Sequence, residues 1–353
     1  MKNTLPKQFR SVTDAPLLKA LEAGLEKVEA GLLKATEHTD EIAKESARHL
    51  VEAGGKRIRP VLVLLAAQLG NPNGENVVDS AVVVELTHLA TLYHDDVMDE
   101  APTRRGVPTA HKVWGNNVAI LTGDLLFARA SQIAAHLGEE TIKLQSFTFE
   151  RLCMGQMHET VGPTVKDDPT QHYIQVMADK TGSLIAAAAQ MGIIASGADR
   201  KYEQPLVEFG EAIGVAFQLI DDVIDISEEG PSGKTPGTDL RAGVPTLPVL
   251  LLREQAKTDD DAKALLTEID GDLSTDEALA AAVIKLRNHP VAAEAEAEAR
   301  RWAAKAIDAI DPLPEGAVKR ALITFANAVV DRTNYWLPQP RFPANVPSAS
   351  TRR

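Results

Sequence analysis

Two aspartate-rich segments, each closing an apolar helical run, constrain this chain more than any other feature. The first, VVVELTHLATLYHDDVMDEAPTRRG from Val82 to Gly106, carries Asp95, Asp96 and Asp99, followed by Arg104 and Arg105. The second repeats the spacing with Asp221, Asp222 and Asp225, 126 positions after Asp95. A helix advances about 100° per residue, so acids four apart share a face. Neither pair has a Lys or Arg at i+4 to relieve it, and like charges so placed destabilise a helix by about 0.2–0.5 kcal/mol. A solvated helix end would account for one such cluster. Two copies point instead to a hard cation, magnesium held against a diphosphate by carboxylates on facing walls.

The rest of the composition narrows the field. With 353 residues, 44% of them hydrophobic, the chain can bury one large core or two ordinary ones. Aromatics make up only 4%, while Ala, Leu and Val dominate, which favours helices over sheets. A formal net charge of -13 argues against a nucleic-acid partner or a general anionic-membrane binder. The single cysteine, Cys153, excludes an internal disulfide and reads as an inert core thiol in a reducing compartment. No signal-like run opens the chain, and no stretch reaches the ~18 apolar residues of a transmembrane segment. The expectation is a cytoplasmic protein.

Periodicity predicts an all-α fold: a single domain over 16–337, with a disordered lead-in at 1–15 and a disordered proline-rich tail at 338–353. Helices are expected at 16–38, 40–53, 60–69, 75–100, 117–136, 139–160, 170–178, 182–196, 203–226, 246–257 and 314–336. No strand alternation is evident. Residues 227–245, rich in Gly, Pro, Ser and Asp, read as a loop. The charged, alanine-rich stretch 258–315 reads as peripheral helices.

Despite the acidic total, cations gather beside glycines and acids. Lys56, Arg57 and Arg59 follow Gly54-Gly55; Arg104 and Arg105 precede Gly106; Lys180 and Thr181 precede Gly182; Lys234 follows Gly233. Glycines before a helix let backbone N–H groups approach a phosphate, Arg offers a planar fork, and Lys offers a point charge. Any one of these is ordinarily a solvated helix start. Together with magnesium-type carboxylates they imply two polyanionic substrates. His88 lies seven residues before Asp95 on the same helix face, about 10 Å away. It is either a packed core histidine or a further phosphate contact. Gln218, one turn before Asp222, can reach the same region or serve only in packing, and Asp239 fits a turn or a helix cap.

With GGKRIRP, HDDVMDEAPTRRG, DKTGSLIAAA and FQLIDDVID…GKTPGTD…TLP in that order, the chain resembles the trans-isoprenyl diphosphate synthases over roughly residues 40–252. The resemblance implies a helical bundle around a deep central cavity, usually a homodimer, with about three magnesium ions per site. Its substrates would be isopentenyl diphosphate and an allylic diphosphate. Carried over by motif, Asp95 and Asp99 would bind magnesium on the allylic diphosphate with Asp96 in support. Asp221 and Asp225 would hold a further ion, with Asp222 lending negative charge. Lys56, Arg59, His88 and Arg105 would bind isopentenyl diphosphate, with Arg57 nearby. Arg104, Lys180, Thr181, Gln218 and Lys234 would meet the allylic diphosphate or line its reacting end. One departure stands out. The sequence Gly243-Val244-Pro245-Thr246-Leu247-Pro248 has Val244 where many members carry a lysine, so one diphosphate contact is missing, with Lys234 and Arg241 nearest to replace it.

Members with short products place bulky aromatics four and five residues before the first Asp. Those positions are Thr91 and Ala90, with Thr87 and Leu86 a turn further back. The resemblance therefore implies a product of heptaprenyl to nonaprenyl length, as used for quinone side chains, with geranylgeranyl diphosphate as the shorter alternative. A class I terpene cyclase and a non-catalytic partner subunit are the readings from other classes. DDVID together with GGKRIRP argues against the first, and the presence of both acidic motifs against the second.

Overall fold

In a computed structural model, residues 5–9, 14–227 and 236–331 are described. Lys234 and the tail at 338–353 lie outside them. Helices α1 to α4 are Ala15–Ala35, Glu41–Glu52, Ile58–Ala66 and Val77–Met98. Then come α5 (Ala110–Trp114), α6 (Asn116–Leu137), α7 (Glu139–Val161), α8 (Pro169–Met177), α9 (Ser183–Ser196) and α10 (Glu203–Asp225). The described residues finish with α11 (Thr238–Arg241), α12 (Leu247–Gln255), α13 (Asp260–Ile269), α14 (Asp276–Asn288), α15 (Pro290–Ala309) and α16 (Ala317–Val330). Among the described residues, strands amount to one two-residue hairpin, Thr103–Arg104 with Val107–Pro108. It is too short to leave an alternating pattern in the sequence.

Local chemistry sets the helix starts. Asp14 caps α1 by accepting from the Leu17 N–H, and Pro16 follows in the first turn. Leu17, Leu21, Leu25, Val28 and Leu32 then form one buried stripe. Asp40 and Asp168 cap α2 and α8 in the same way. The two motif helices are central. Helix α4 packs on α1, α3, α6 and α9, and α10 on α9 and α15. Their apolar runs are buried nearly all round, leaving the acids at their C-terminal ends.

Close approach of α9 and α10 depends on glycine. A Cβ on Gly214 would stand 2.5 Å from the Gly182 Cα, and one on Gly210 2.5 Å from the Ala186 Cα.

Several expectations change. Helix α15 lies along α10 with Ala295, Ala299, Ala303 and Ala306 buried, so its small residues serve close packing and the helix is not peripheral. A second cluster formed by α11 to α14 with Ile226 and Val291 is the part that stands apart. The lead-in is partly built: Leu5 and Phe9 are buried, and the Phe9 ring stacks on Phe325 of α16 at 4.8 Å. Helix α6 is long and apolar enough overall to cross a bilayer, with a third of its most apolar window buried. Asp124 and Arg129 interrupt it, so no uninterrupted apolar run betrays it in the sequence. Cys153 is exposed on α7 and not in the core; partial burial nevertheless pushes its thiol up, away from the reactive thiolate.

Candidate active site

The regions expected at 170–178 and 182–196 are one helix interrupted by a π-helical turn, Ala178–Gly182, that holds Lys180 and Thr181. Such turns insert an extra residue into the helical register and are frequent at functional sites. Gly155 on α7 and Gly214 on α10 make room for it; a Cβ on Gly155 would lie 2.9 Å from the Lys180 side chain. Arg151 on α7 clamps the turn, with its Nε donating to Asp179 at 2.9 Å and its Nη1 paired with Glu211 of α10.

Lys180 is the strongest opposite charge acting on Asp95, so the π turn brings the first motif towards the helix that carries the second. Burial pushes the Asp95 carboxyl up to about 6, with Asp99 and Glu159 adding repulsion. Lys180 itself is ion-paired with Glu159 of α7. The side chains of Asp95 and Asp99 make no hydrogen bond or ion pair among the described residues. No group of three acids, histidines or cysteines there could hold a metal alone. Two unpartnered carboxylates one turn apart fit a magnesium ion whose remaining ligands are phosphate oxygens and water.

The middle aspartates behave differently. Asp96 is buried, and its Oδ1 accepts from Arg104 Nε at 2.7 Å and pairs with Nη2 at 2.6 Å. Asp222 is also buried; its Oδ2 accepts from the Tyr173 hydroxyl at 2.7 Å and from the Leu247 N–H at 3.0 Å. Burial pushes Asp222 up to about 7 although both bonds pull it down. Both side chains are buried and engaged with protein partners, unlike those of Asp95 and Asp99. Asp225 receives the chain as it returns from the loop, accepting from the Thr238 hydroxyl at 2.8 Å and the Asp239 N–H at 3.2 Å. Asp221, Thr181 and Gln218 are half-buried around the same end of α10 and the π turn.

A second cationic group lies behind the first motif. Arg59 and His88 are half-buried and, among the described residues, make no ion pair and leave the Arg59 Nε buried without a partner. Burial holds the His88 imidazole well below its usual range, reinforced by Arg59, Arg105, Arg57 and Arg104, so it is neutral. The Arg59 guanidinium is itself pushed down to about 10 by burial. Arg105 donates to the Leu50 carbonyl at 2.8 Å and to that of Gly54, and it lies where a Cβ on Gly55 would stand only 2.7 Å from its Cζ. Gly55 is required for that approach. Lys56 sits near the Phe217 ring, 5.9 Å from its centroid.

Arg57 departs from the sequence reading. It is buried and used up by Glu29 at 2.5 Å, Glu85 at 2.8 Å, and the Gly54 and Val51 carbonyls, so it cannot reach a substrate.

Of the chain-length residues, Ala90, Thr87 and Leu86 are buried, and only Thr91 is partly open. His94 contacts the Ile120 carbonyl at 3.0 Å, and Gly123 lies against the Ala90 carbonyl. Helix α6 therefore closes over Ala90. Continued down the two antiparallel helices, this register puts Phe127 level with Leu86, where it stacks on Phe149 of α7 at 3.6 Å.

Sequence reasoning missed Tyr173, Glu159, Arg151 and Glu85. Each is a single polar residue on an otherwise ordinary helix, and only its partner in space marks it.

Residues 40–286 match the profile of the Polyprenyl synthetase family, more than half the chain. The chain belongs to that family. It is a prenyltransferase, and the synthetase fold extends through nearly all of it. Nonaprenyl diphosphate synthase of Mycobacterium tuberculosis is 43% identical over 322 residues, covering 90% of this chain and 95% of the relative. Among solved structures, geranylgeranyl pyrophosphate synthase from Corynebacterium glutamicum, complexed with calcium and isoprenyl diphosphate, is 40% identical with a TM-score of 0.82. It covers 91% of this chain and 99% of its own. Decaprenyl diphosphate synthase from Rhodobacter capsulatus is 32% identical with a TM-score of 0.81, covering 90% and 98%.

Proposed function

We propose that this polyprenyl synthetase condenses isopentenyl diphosphate with an allylic diphosphate to give a trans-polyprenyl diphosphate of heptaprenyl to nonaprenyl length. The observation that carries the two-substrate reading is the pair of separately built anion sites. One is Arg59, His88 and Arg105 behind α4; the other is Lys180 beside the unpartnered Asp95 and Asp99.

Asp95 and Asp99 would hold magnesium on the allylic diphosphate, and Asp221 with Asp225 would hold a further ion. Bound magnesium supplies charge stabilisation for the departing diphosphate. Lys180 leaves Glu159 to meet the same phosphate, with Arg104 held in place by Asp96. The Thr181 hydroxyl and the Gln218 amide oxygen face the carbon that becomes electron-poor. Arg59 and Arg105 fix the second diphosphate, and neutral His88 donates a hydrogen bond without adding charge. Exclusion of water protects the allylic cation from hydrolysis. With no obvious general base in the site, the released diphosphate accepts the proton.

The relatives named for long products support the chain-length range. Geranylgeranyl diphosphate is the competing product, favoured by the buried Ala90, Thr87 and Leu86 and by the Corynebacterium neighbour. The enzyme works in the cytoplasm as a homodimer. The exposed Ile120 and Leu121 on α6 and Phe147, Met154, Met157 and Val161 on α7 favour a self-association face.

The test is incubation of the full chain with magnesium, labelled isopentenyl diphosphate, and farnesyl or geranylgeranyl diphosphate, followed by product sizing. No elongation from any primer overturns the reaction, and a product ending at geranylgeranyl overturns only the length.

A further inference from the structure

Among the described residues, two of the three non-glycine residues with left-handed backbone are Arg57 (φ 50) and Arg105 (φ 54). Such conformations cost roughly 1–3 kcal/mol and persist only where the surroundings enforce them. Both arginines converge on one carboxylate. Glu85, three residues before His88 on α4, is 2% exposed. Its Oε1 lies 2.8 Å from Arg57 Nη1 and 3.7 Å from Arg105 Nη2. It is also the negative charge that supports Arg59, against repulsion from Arg105.

Three guanidiniums crowded behind α4 would otherwise repel one another, and an uncompensated buried charge is strongly unfavourable. Glu29 compensates from outside only: it reaches Arg57, at 2.5 and 3.3 Å, and no other member of the group. Glu85 is the acid placed among them. Its neighbours also differ in what they have left to offer. Arg57 is fully hydrogen-bonded, whereas the Arg59 Nε is buried and unpartnered.

We infer that Glu85 is a positioning residue for the second diphosphate site. It pins Arg57 as a strut, holds Arg105 across Gly55, and thereby leaves Arg59 and Arg105 spaced for the anion before substrate arrives. Glu85 touches no substrate; it acts through the arginines. Arg57 extends the brace to α1 through Glu29.

This inference rests on the two-substrate reading above, and the test separates the two. Michaelis constants for both diphosphates are measured on the full-length wild type, Glu85→Gln and Glu29→Gln, with thermal unfolding in parallel. Glu85→Gln is expected to raise KM for isopentenyl diphosphate about tenfold or more, with KM for the allylic diphosphate within about twofold. Glu29→Gln is expected to lower the unfolding temperature while leaving both constants within about twofold, because it touches only Arg57.

Should Glu85→Gln fail to fold, Arg57→Met combined with Glu85→Gln removes the buried pair together and keeps the isopentenyl-side defect. The inference is overturned if the Glu85 variant leaves the isopentenyl KM unchanged, lowers it, or raises both constants alike. It is equally overturned if Glu29→Gln reproduces the defect, or if the double variant has wild-type constants. Wild-type protein that transfers no prenyl group would instead refute the reaction assigned to the enzyme.

Discussion

Replacing Tyr173 by Phe removes one hydroxyl from a buried site and nothing else. That hydroxyl donates to Asp222 Oδ2 at 2.7 Å, and among the described residues the Leu247 N–H then remains as the only donor to that oxygen. A hydrogen bond to an ionised group contributes about 1.5–3 kcal/mol, a neutral one about 0.5–1.5 kcal/mol. Asp222 titrates at about 7 in the folded protein, against an ordinary 3.8.

Between those values the unfolded chain has released the proton that the folded chain keeps. Stability therefore falls as pH rises through this window and levels off above about 7. The variant lacks a donor to the ionised form, so its folded value moves higher and its stability keeps falling past pH 7. At pH 8 the difference from wild type should approach about 2 kcal/mol, or an unfolding temperature lower by about 3 °C in a chain of this size. At pH 6 Asp222 is mostly protonated and the difference should shrink by about half. Scanning calorimetry of both proteins at the two pH values measures this. An equal gap at both, or a larger one at pH 6, would refute the assignment of an ionised, tyrosine-bound Asp222.

Four further outcomes follow from the site. Asp95→Ala should abolish most turnover while the fold, followed by circular dichroism, is retained; near-normal activity would remove Asp95 from the metal site. Because Asp95 titrates at about 6, protons compete with magnesium below that value, and the magnesium concentration for half-maximal activity should climb as pH drops from 7 to 5. Glu159→Gln releases Lys180 and should lower the allylic KM by up to about fivefold, the usual range for a partly exposed ion pair; an unchanged KM would count against Lys180 as a ligand. Thr91→Phe should shorten the product and Phe127→Ala lengthen it, whereas Ala90→Phe should chiefly destabilise by about 1–3 kcal/mol through overpacking against α6. Product sizing and thermal unfolding distinguish these.

The helices were legible because their apolar spacing and caps are local: Asp14, Asp40 and Asp168 each stand where the sequence starts a helix. The two acid clusters and the basic stretches were legible for the same reason, since their members lie within a few residues of one another. What sequence could not supply was the division of labour within each cluster. Asp95 and Asp96 are neighbours of the same type, yet one is unpartnered and the other buried on Arg104, because a 100° rotation separates cleft from core. Arg57 and Arg59 differ in the same way. Ala90 read as empty space because nothing in its own segment announces that α6 closes over it. Helix α15 read as peripheral because alanines at a tight interface look like alanines on a surface.

The π turn at Ala178–Gly182 has a consequence for how this helix tolerates change. One additional residue is accommodated there without breaking the rod, so everything before it is turned by about 100° relative to everything after. Tyr173, before that offset, reaches Asp222 of α10, and Ser183, after it, is buried with its hydroxyl donating to the Asp179 carbonyl. Deleting Ala178 would leave an unbroken regular helix, good by every local criterion, and would swing Tyr173 away from Asp222 like a crank slipped by one tooth. The same rotation makes the segment from Pro169 to Ser196 a two-part lever, so length changes on either side are buffered nowhere else along it.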